Sequence, residues 1–254
     1  MSHSLEGKVA VVTGGTQGIG HAIAKEFVEQ GATVVVTGRD QGRLDEAVAT
    51  LGKSASGVRA DAGSPAAMDA MLKDVKARYG RLDVIIANAV IDAHAPLAKI
   101  TEEQFDTMIA TNLKGVLFAV QSAVPLMPTG GSIILIGSTA SVAPPPGMSI
   151  YGAIKAGLHG MVRALIQDLK GTGVRINILS PGAVDTPSLR RALGKAAGPE
   201  AVDQIVQSMA QKSPLGRIGE AREIGRVAVF LGSDASSYIN GVELFVDGGL
   251  TQVA

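Results

Sequence analysis

Short β-branched runs alternate with helix-length patterns along almost the whole chain, and no other feature restricts its fold as strongly. Val9-Ala10-Val11-Val12 reads as a buried strand. A glycine-rich turn separates it from a helix over residues 19–30, whose Ile23, Phe27 and Val28 share one face. Further strands are expected at 33–37, 57–60, 82–87, 132–136, 175–179 and 243–246, with helices at 43–51 and 149–170. Ser64 and Pro65 supply an N-cap and a first-turn proline for another helix. Thr101 and Gln104 form a capping-box pattern at the head of a long one. Fully apolar strands that alternate with helices predict one doubly wound α/β domain over residues 1–254, a parallel sheet of about seven strands with helices on both faces. Residues 187–214 interrupt the alternation and read as irregular, a lid over the crevice at the carboxyl ends of the strands.

Composition removes several classes of function. The chain has 254 residues, is 46% hydrophobic and carries no net charge. It lacks a basic block that would neutralise a run of phosphates, so no nucleic-acid partner is expected. The absence of cysteine excludes disulfides and thiol catalysis and fits a cytoplasmic protein. The start, MSHSLEGKVAVV, has no signal-peptide pattern, and no apolar stretch reads as long enough to span a bilayer, so no membrane is expected. His3, His21, His94 and His159 are scattered without metal-ligand spacing, and no metal is expected.

The turn after the first strand reads TGGTQGIG, Thr13 to Gly20. Such a loop turns sharply and brings backbone N–H groups against a pyrophosphate at the start of the following helix. Its position between a strand and a helix favours this reading over an empty glycine-rich turn. Gly14, Thr16, Gln17, Gly18, Ile19 and Gly20 are the candidate contacts. The second strand ends in Gly38-Arg39-Asp40. A carboxylate at this point selects NAD(H), whereas an arginine accommodates a 2′-phosphate. Arg39, with Arg43 as a second candidate, favours NADP(H) over NAD(H), although Asp40 lies one residue further and Arg39 can also be read as a solvated turn residue.

Tyr151 and Lys155 lie four residues apart on one helix face. An ammonium beside the phenol is expected to lower its pKa and make it an acid or base for a carbonyl or alcohol. Ser138 follows the fifth strand at the ligand-binding edge and can hydrogen-bond the same oxygen.

On these residues the chain resembles the short-chain dehydrogenase/reductase family over essentially its whole length, which implies a Rossmann-type fold. TGGTQGIG resembles the family's TGxxxGxG loop. The resemblance implies a catalytic group of Asn112, Ser138, Tyr151 and Lys155, in which Asn112 holds a relay water and Lys155 also binds the ribose. It implies adenine contacts at Asp61 and Ala62, and nicotinamide contacts along Pro181-Gly182-Ala183-Val184-Asp185-Thr186. The family's NNAG segment reads Ala87-Asn88-Ala89-Val90 here, so Asn88 and Ala89 remain while its first Asn and last Gly are replaced, and Val90 is expected to crowd or reshape the pocket. The implied partner is a small carbonyl or alcohol, and the implied assembly is a homotetramer.

The pocket walls read as apolar, with Ala89, Val90, Ile91, Leu189 and the stiff Pro144-Pro145-Pro146 loop. Arg190 and Arg191 read as solvated. A neutral ketone or secondary alcohol is therefore expected, and the overall pattern resembles NADPH-dependent ketoreductases. Two alternatives stand beside this reading. One is a 3-oxoacyl-(acyl-carrier-protein) reductase, weakened by the uncharged segment 125–130; the other is a non-catalytic NADP-binding scaffold. Ala156, Gly157, Gly160 and Ala164 give one helix a small-residue face, for packing either between subunits or inside the core.

Overall fold

The computed structural model describes residues 4–253, so His3 lies outside it. Seven strands form one parallel sheet. In chain order they are β1 (Val9–Val12), β2 (Thr33–Gly38), β3 (Ala55–Arg59), β4 (Val84–Ala87), β5 (Ser132–Ile136) and β6 (Arg175–Pro181). The short β7 (Val184–Asp185) and β8 (Gly219–Glu220) pair separately, and β9 (Glu243–Val246) returns to the main sheet. The spatial order is β3-β2-β1-β4-β5-β6-β9. The order reverses beside β1, and the crevice between the carboxyl ends of β1 and β4 is where such sheets bind ligands.

The helices are α1 (Gly18–Glu29), α2 (Gln41–Leu51), α3 (Pro65–Tyr79), α4 (Glu102–Ile109), α5 (Gly115–Ala123) and α6 (Ser149–Asp168), then α7 (Pro187–Ala197), α8 (Val202–Lys212), α9 (Ala221–Gly232) and α10 (Leu250–Val253). Successive strand residues point to opposite faces, so each strand feeds two cores. Val11, Val35, Ile85 and Ile133 pack under α3, α5 and α6. Val12, Val34, Ile86 and Ile134 pack under α1, α2 and α9, around the fully buried Phe27. Truncating a buried phenylalanine of this kind costs about 3–5 kcal/mol.

Four expectations shift. β3 begins at Ala55, because Val34 pairs with Ala55 and sets the register two residues early. β4 begins at Val84, because the Asp83 carboxylate accepts from the Val9 N–H (2.9 Å) and from Arg81. The helix headed by the Thr101–Gln104 capping box does not run straight; a π-helical segment, Ala110–Lys114, divides α4 from α5. Residues 187–214 are not irregular but form α7 and α8.

The continuous helical stretch Glu102–Leu126 is also long and apolar enough, by length and composition, to cross a membrane, contrary to the sequence reading. Its Met108, Val116, Ala119, Val120 and Ala123 are buried, the last four of them in the core shared with α3. This is how a core helix of a layered fold packs.

Candidate active site

The loop from β1 to α1 is held by its neighbour after β4. Asn88 Nδ2 donates to the carbonyls of Thr13 (2.9 Å) and Gly14 (3.1 Å). The Thr13 hydroxyl accepts from the N–H groups of Asn88 (2.9 Å) and Ala89 (3.0 Å). The Asn that survives in the altered segment is thus the one that staples the loop. Ala87 is a buried strand residue, and Val90 is 49% exposed. Gly20 is indispensable to the staple: a Cβ there would strike Asn88 Nδ2 and lie 2.5 Å from the Gly14 carbonyl. Gly18 has φ +58° and lies against Thr186. Gln17 is the N-cap residue of α1, and no acidic side chain enters its first turn. Free N–H groups, partial positive charge and a close-approach glycine suit a pyrophosphate. Thr16 lies beside Gly38, so the loop and the end of β2 form one rim, and Ile19 is in the first turn of α1.

Asp40 is already engaged on that rim. It N-caps α2, accepting the Arg43 N–H at 2.9 Å. Arg39 and Arg43 are exposed and have no carboxylate partner among the described residues. Asp61 accepts the Gly63 N–H (2.9 Å), and the backbone of Ala62 lies tight against Gly115 of α5.

Asn112 sits in the π-helical segment and is almost fully buried. Its Oδ1 accepts from the Ile91 N–H (2.8 Å) and its Nδ2 donates to the Ile91 carbonyl (2.7 Å). π-bulges often mark functional sites, and this one fixes the segment that carries Asp92.

Ser138 leaves the end of β5; its Oγ accepts from the Ala140 N–H (3.1 Å). Tyr151 and Lys155 project from α6, with Lys155 Nζ 5.5 Å from the Tyr151 ring centroid. Lys155 is buried and donates to the Ile136 carbonyl at 2.6 Å. Burial pushes its pKa down to about 8, against the attraction of Asp92. The expected lowering of the Tyr151 pKa is not found in this arrangement. Burial, reinforced by the negative charge of Asp92, pushes it up to about 12, and the neighbouring Ser138 hydroxyl opposes the rise. Lys155 directs its ammonium at a carbonyl and over the ring, so burial dominates at the phenol.

Pro181 ends β6, Gly182 N–H donates to the Val246 carbonyl (3.0 Å), and Val184 lies in β7. Thr186 N-caps α7, accepting from the Leu189 N–H (3.2 Å). The two arginines of α7 are not simply solvated. Arg190 is bound by Asp185 (2.7 and 2.8 Å) and by Asp203 of α8 (2.9 Å), whereas Arg191 donates to Gln17 Oε1 at 2.6 Å.

Two groups beside the catalytic cluster went unread in the sequence. Asp92, half-exposed beside His94 (3.2 Å), acts on both Tyr151 and Lys155 through its charge. Glu243 of β9 is buried; its Oε1 accepts from the hydroxyls of Ser141 and Ser180, both at 2.7 Å, and its Oε2 faces His159 Nδ1 at 3.3 Å. In sequence, both look like ordinary solvent-facing charges.

The family described as enoyl-(acyl carrier protein) reductase matches residues 14–251. A solved short-chain dehydrogenase/reductase of Brucella melitensis, titled glucose/ribitol dehydrogenase, superimposes with a TM-score of 0.91 at 30% identity, covering 98% of this chain and 99% of that one. The chain belongs to the short-chain dehydrogenase/reductase family. Among curated members it is 44% identical over 251 residues to an oxidoreductase of Sarocladium schorii, covering 98% of both chains. It is 35% identical over 256 residues to a 3-oxoacyl-[acyl-carrier-protein] reductase of Thermotoga maritima, covering 97% of this chain and 98% of that one. As a short-chain dehydrogenase/reductase, the protein is an oxidoreductase of carbonyl and alcohol groups that uses a nicotinamide cofactor.

Proposed function

We propose that the protein reduces a neutral ketone to a secondary alcohol, reversibly, with NADP(H). The carrying observation is the half-buried phenol of Tyr151 beside Ser138 and the buried Lys155, protonated at neutral pH. The bound nicotinamide supplies the hydride. Ser138 orients the carbonyl oxygen by a hydrogen bond, and Tyr151 gives its proton to that oxygen as negative charge develops there. Lys155 holds the ribose hydroxyls and, with Asn112 and a water, restores the proton.

Arg39 supports the choice of NADP(H), since Asp40 is spent as a helix cap. NADPH is expected to support faster turnover than NADH on a panel of neutral ketones. Arg39→Gln is expected to weaken NADPH binding by about tenfold, the loss of a charge-assisted contact, and to leave NADH unchanged. A native preference for NADH would overturn the cofactor reading.

The carboxylate of Asp92 disfavours an anionic substrate beside Tyr151 and supports a neutral one. Asp92 raises the Tyr151 pKa, so Asp92→Asn lowers it. Alcohol oxidation needs the phenolate, so the rising limb of its pH–rate profile is expected to move to lower pH in this variant. An unmoved limb would show that Asp92 does not act on the reacting phenol.

The Thermotoga maritima relative favours one further reading, reduction of a 3-oxoacyl thioester. Turnover of such thioesters with none of neutral ketones would establish it. The same proposal includes a cytoplasmic homotetramer. Ala156, Gly157, Gly160 and Ala164 are all exposed on α6, and nothing lies within 4 Å of where a Cβ on either glycine would stand, which supports close packing of this face between subunits.

A further inference from the structure

We infer that Glu243 is a positioning residue for the reaction, its carboxylate setting the place of the Ser138 hydroxyl relative to Tyr151. The inference rests on the reading above that Ser138 orients the substrate carbonyl, and it adds the group that holds Ser138.

Ser138 has little to fix it locally. Its backbone is extended, φ −171° and ψ 152°, where β5 has ended and the short 3-10 turn Thr139–Ser141 begins. Its hydroxyl caps that turn by accepting the Ala140 N–H at 3.1 Å. Serine and turn thus move together, and Glu243 holds them from both sides. Downstream, Oε1 accepts the Ser141 hydroxyl at 2.7 Å. Upstream, the same oxygen accepts the Ser180 hydroxyl at 2.7 Å. Ser180 is fully buried in β6 and packs against Gly137, the residue before Ser138. A Cβ on Gly137 would strike Ser180 Oγ and stand 2.6 Å from Ile178 Cγ2, so the chain enters Ser138 with no room to shift.

The second carboxylate oxygen reaches the helix that carries the rest of the chemistry. Oε2 faces His159 Nδ1 at 3.3 Å. Tyr151, Lys155 and His159 follow one another at four-residue spacing along one face of α6. One carboxylate therefore joins β9, β6, the Ser138 turn and α6. Its side chain is only 7% exposed, so these contacts are little weakened by water. Hydrogen bonds from hydroxyls to a carboxylate at this length are strong ones. Glu243 acts through Ser138: it fixes the distance between the serine and the phenol, which must converge on one oxygen.

The test is a double-mutant cycle in ketone reduction, with kcat, the ketone KM, NADPH affinity and Tm measured for wild type, Glu243→Ala, Glu243→Gln, Ser141→Ala, Ser138→Ala and the Ser138→Ala/Glu243→Ala pair. Glu243→Ala is expected to lower kcat by about 10- to 100-fold, the effect of a misplaced catalytic group. NADPH affinity should stay within about twofold of wild type, since the loss falls on the chemical step. Glu243→Gln should recover most of kcat, because its amide oxygen has two lone pairs and still accepts both serine hydroxyls. In the Ser138→Ala background, removal of Glu243 should cost less than about twofold more, because the group it positions is already gone. A merely structural role predicts the same fractional loss in both backgrounds, and that result overturns the inference. So does a Glu243→Ala enzyme with wild-type kcat. If Glu243→Ala does not fold, Ser141→Ala cuts only the arm to the catalytic turn, and its loss of kcat must likewise vanish without Ser138. Wild-type turnover by Ser138→Ala itself would strike the parent reading, and the role of Glu243 with it.

Discussion

Replacing Tyr151 with Phe is expected to lower kcat for ketone reduction by about 10²–10⁴-fold, the usual worth of a positioned general acid. Binding of NADPH should stay within about twofold of wild type, since the substitution removes one oxygen and leaves the aromatic ring that Lys155 overlies. The fold should hold as well, because the Ser138 hydroxyl keeps its bond from the Ala140 N–H when the phenol is gone. Single-turnover kinetics beside a cofactor titration separate the two effects. Turnover that survived the substitution would mean that the proton comes from another group, and the mechanism proposed here would fall. The same experiment disposes of the non-catalytic scaffold, which would show no turnover in either protein.

Gly20→Val acts at the opposite end of the site and should abolish cofactor binding, raising the dissociation constant by more than about 100-fold through loss of the pyrophosphate cradle. A Cβ at residue 20 strikes the Asn88 amide and crowds the Gly14 carbonyl, and Asn88 is the staple that shapes the loop. One of the two must move, and neither has slack. The valine methyls add to the overlap. Overpacking of this kind costs about 1–3 kcal/mol, which for a chain of this size is a fall in Tm of roughly 2–12 °C. Calorimetry and fluorescence titration together check the expectation. A variant that still bound NADPH at wild-type affinity would show that the loop does not carry the phosphates.

Much of the fold was legible because the strands are buried on both faces and therefore read as plain apolar runs. The lid was not. Pro187, Gly198, Pro199 and Pro214 look like the punctuation of a loop, yet Pro187 occupies the first turn of α7 after its Thr186 cap and Gly198 ends it. The breakers are helix termini set close together, and residue types alone do not distinguish a short helix with tight caps from an irregular loop. Asp40 was ambiguous for a related reason: a carboxylate after β2 can face a ribose or cap the next helix, and the bond to the Arg43 N–H decides between them.

In the site, residue identities were readable and electrostatics were not. Tyr151 and Lys155 share a helix face by spacing, but the balance between burial and neighbouring charge at the phenol depends on Asp92, a loop residue brought there by the Asn112 clamp on Ile91. No local pattern announces that approach. Nor does one announce Glu243, which lies in a strand where the sequence offers no sign that its carboxylate turns inward.

The Glu243 carboxylate has a consequence for how the protein matures. It clasps Ser141, just beyond Ser138, from a strand 102 residues further along the chain. A ribosome extends the chain at about 5–20 residues per second and releases its amino-terminal parts to fold first. A nascent chain that has already exposed Asn112, Ser138, Tyr151 and Lys155 still lacks the clasp that fixes the catalytic loop. Birth order thus places the clasp on the catalytic loop after the catalytic residues themselves.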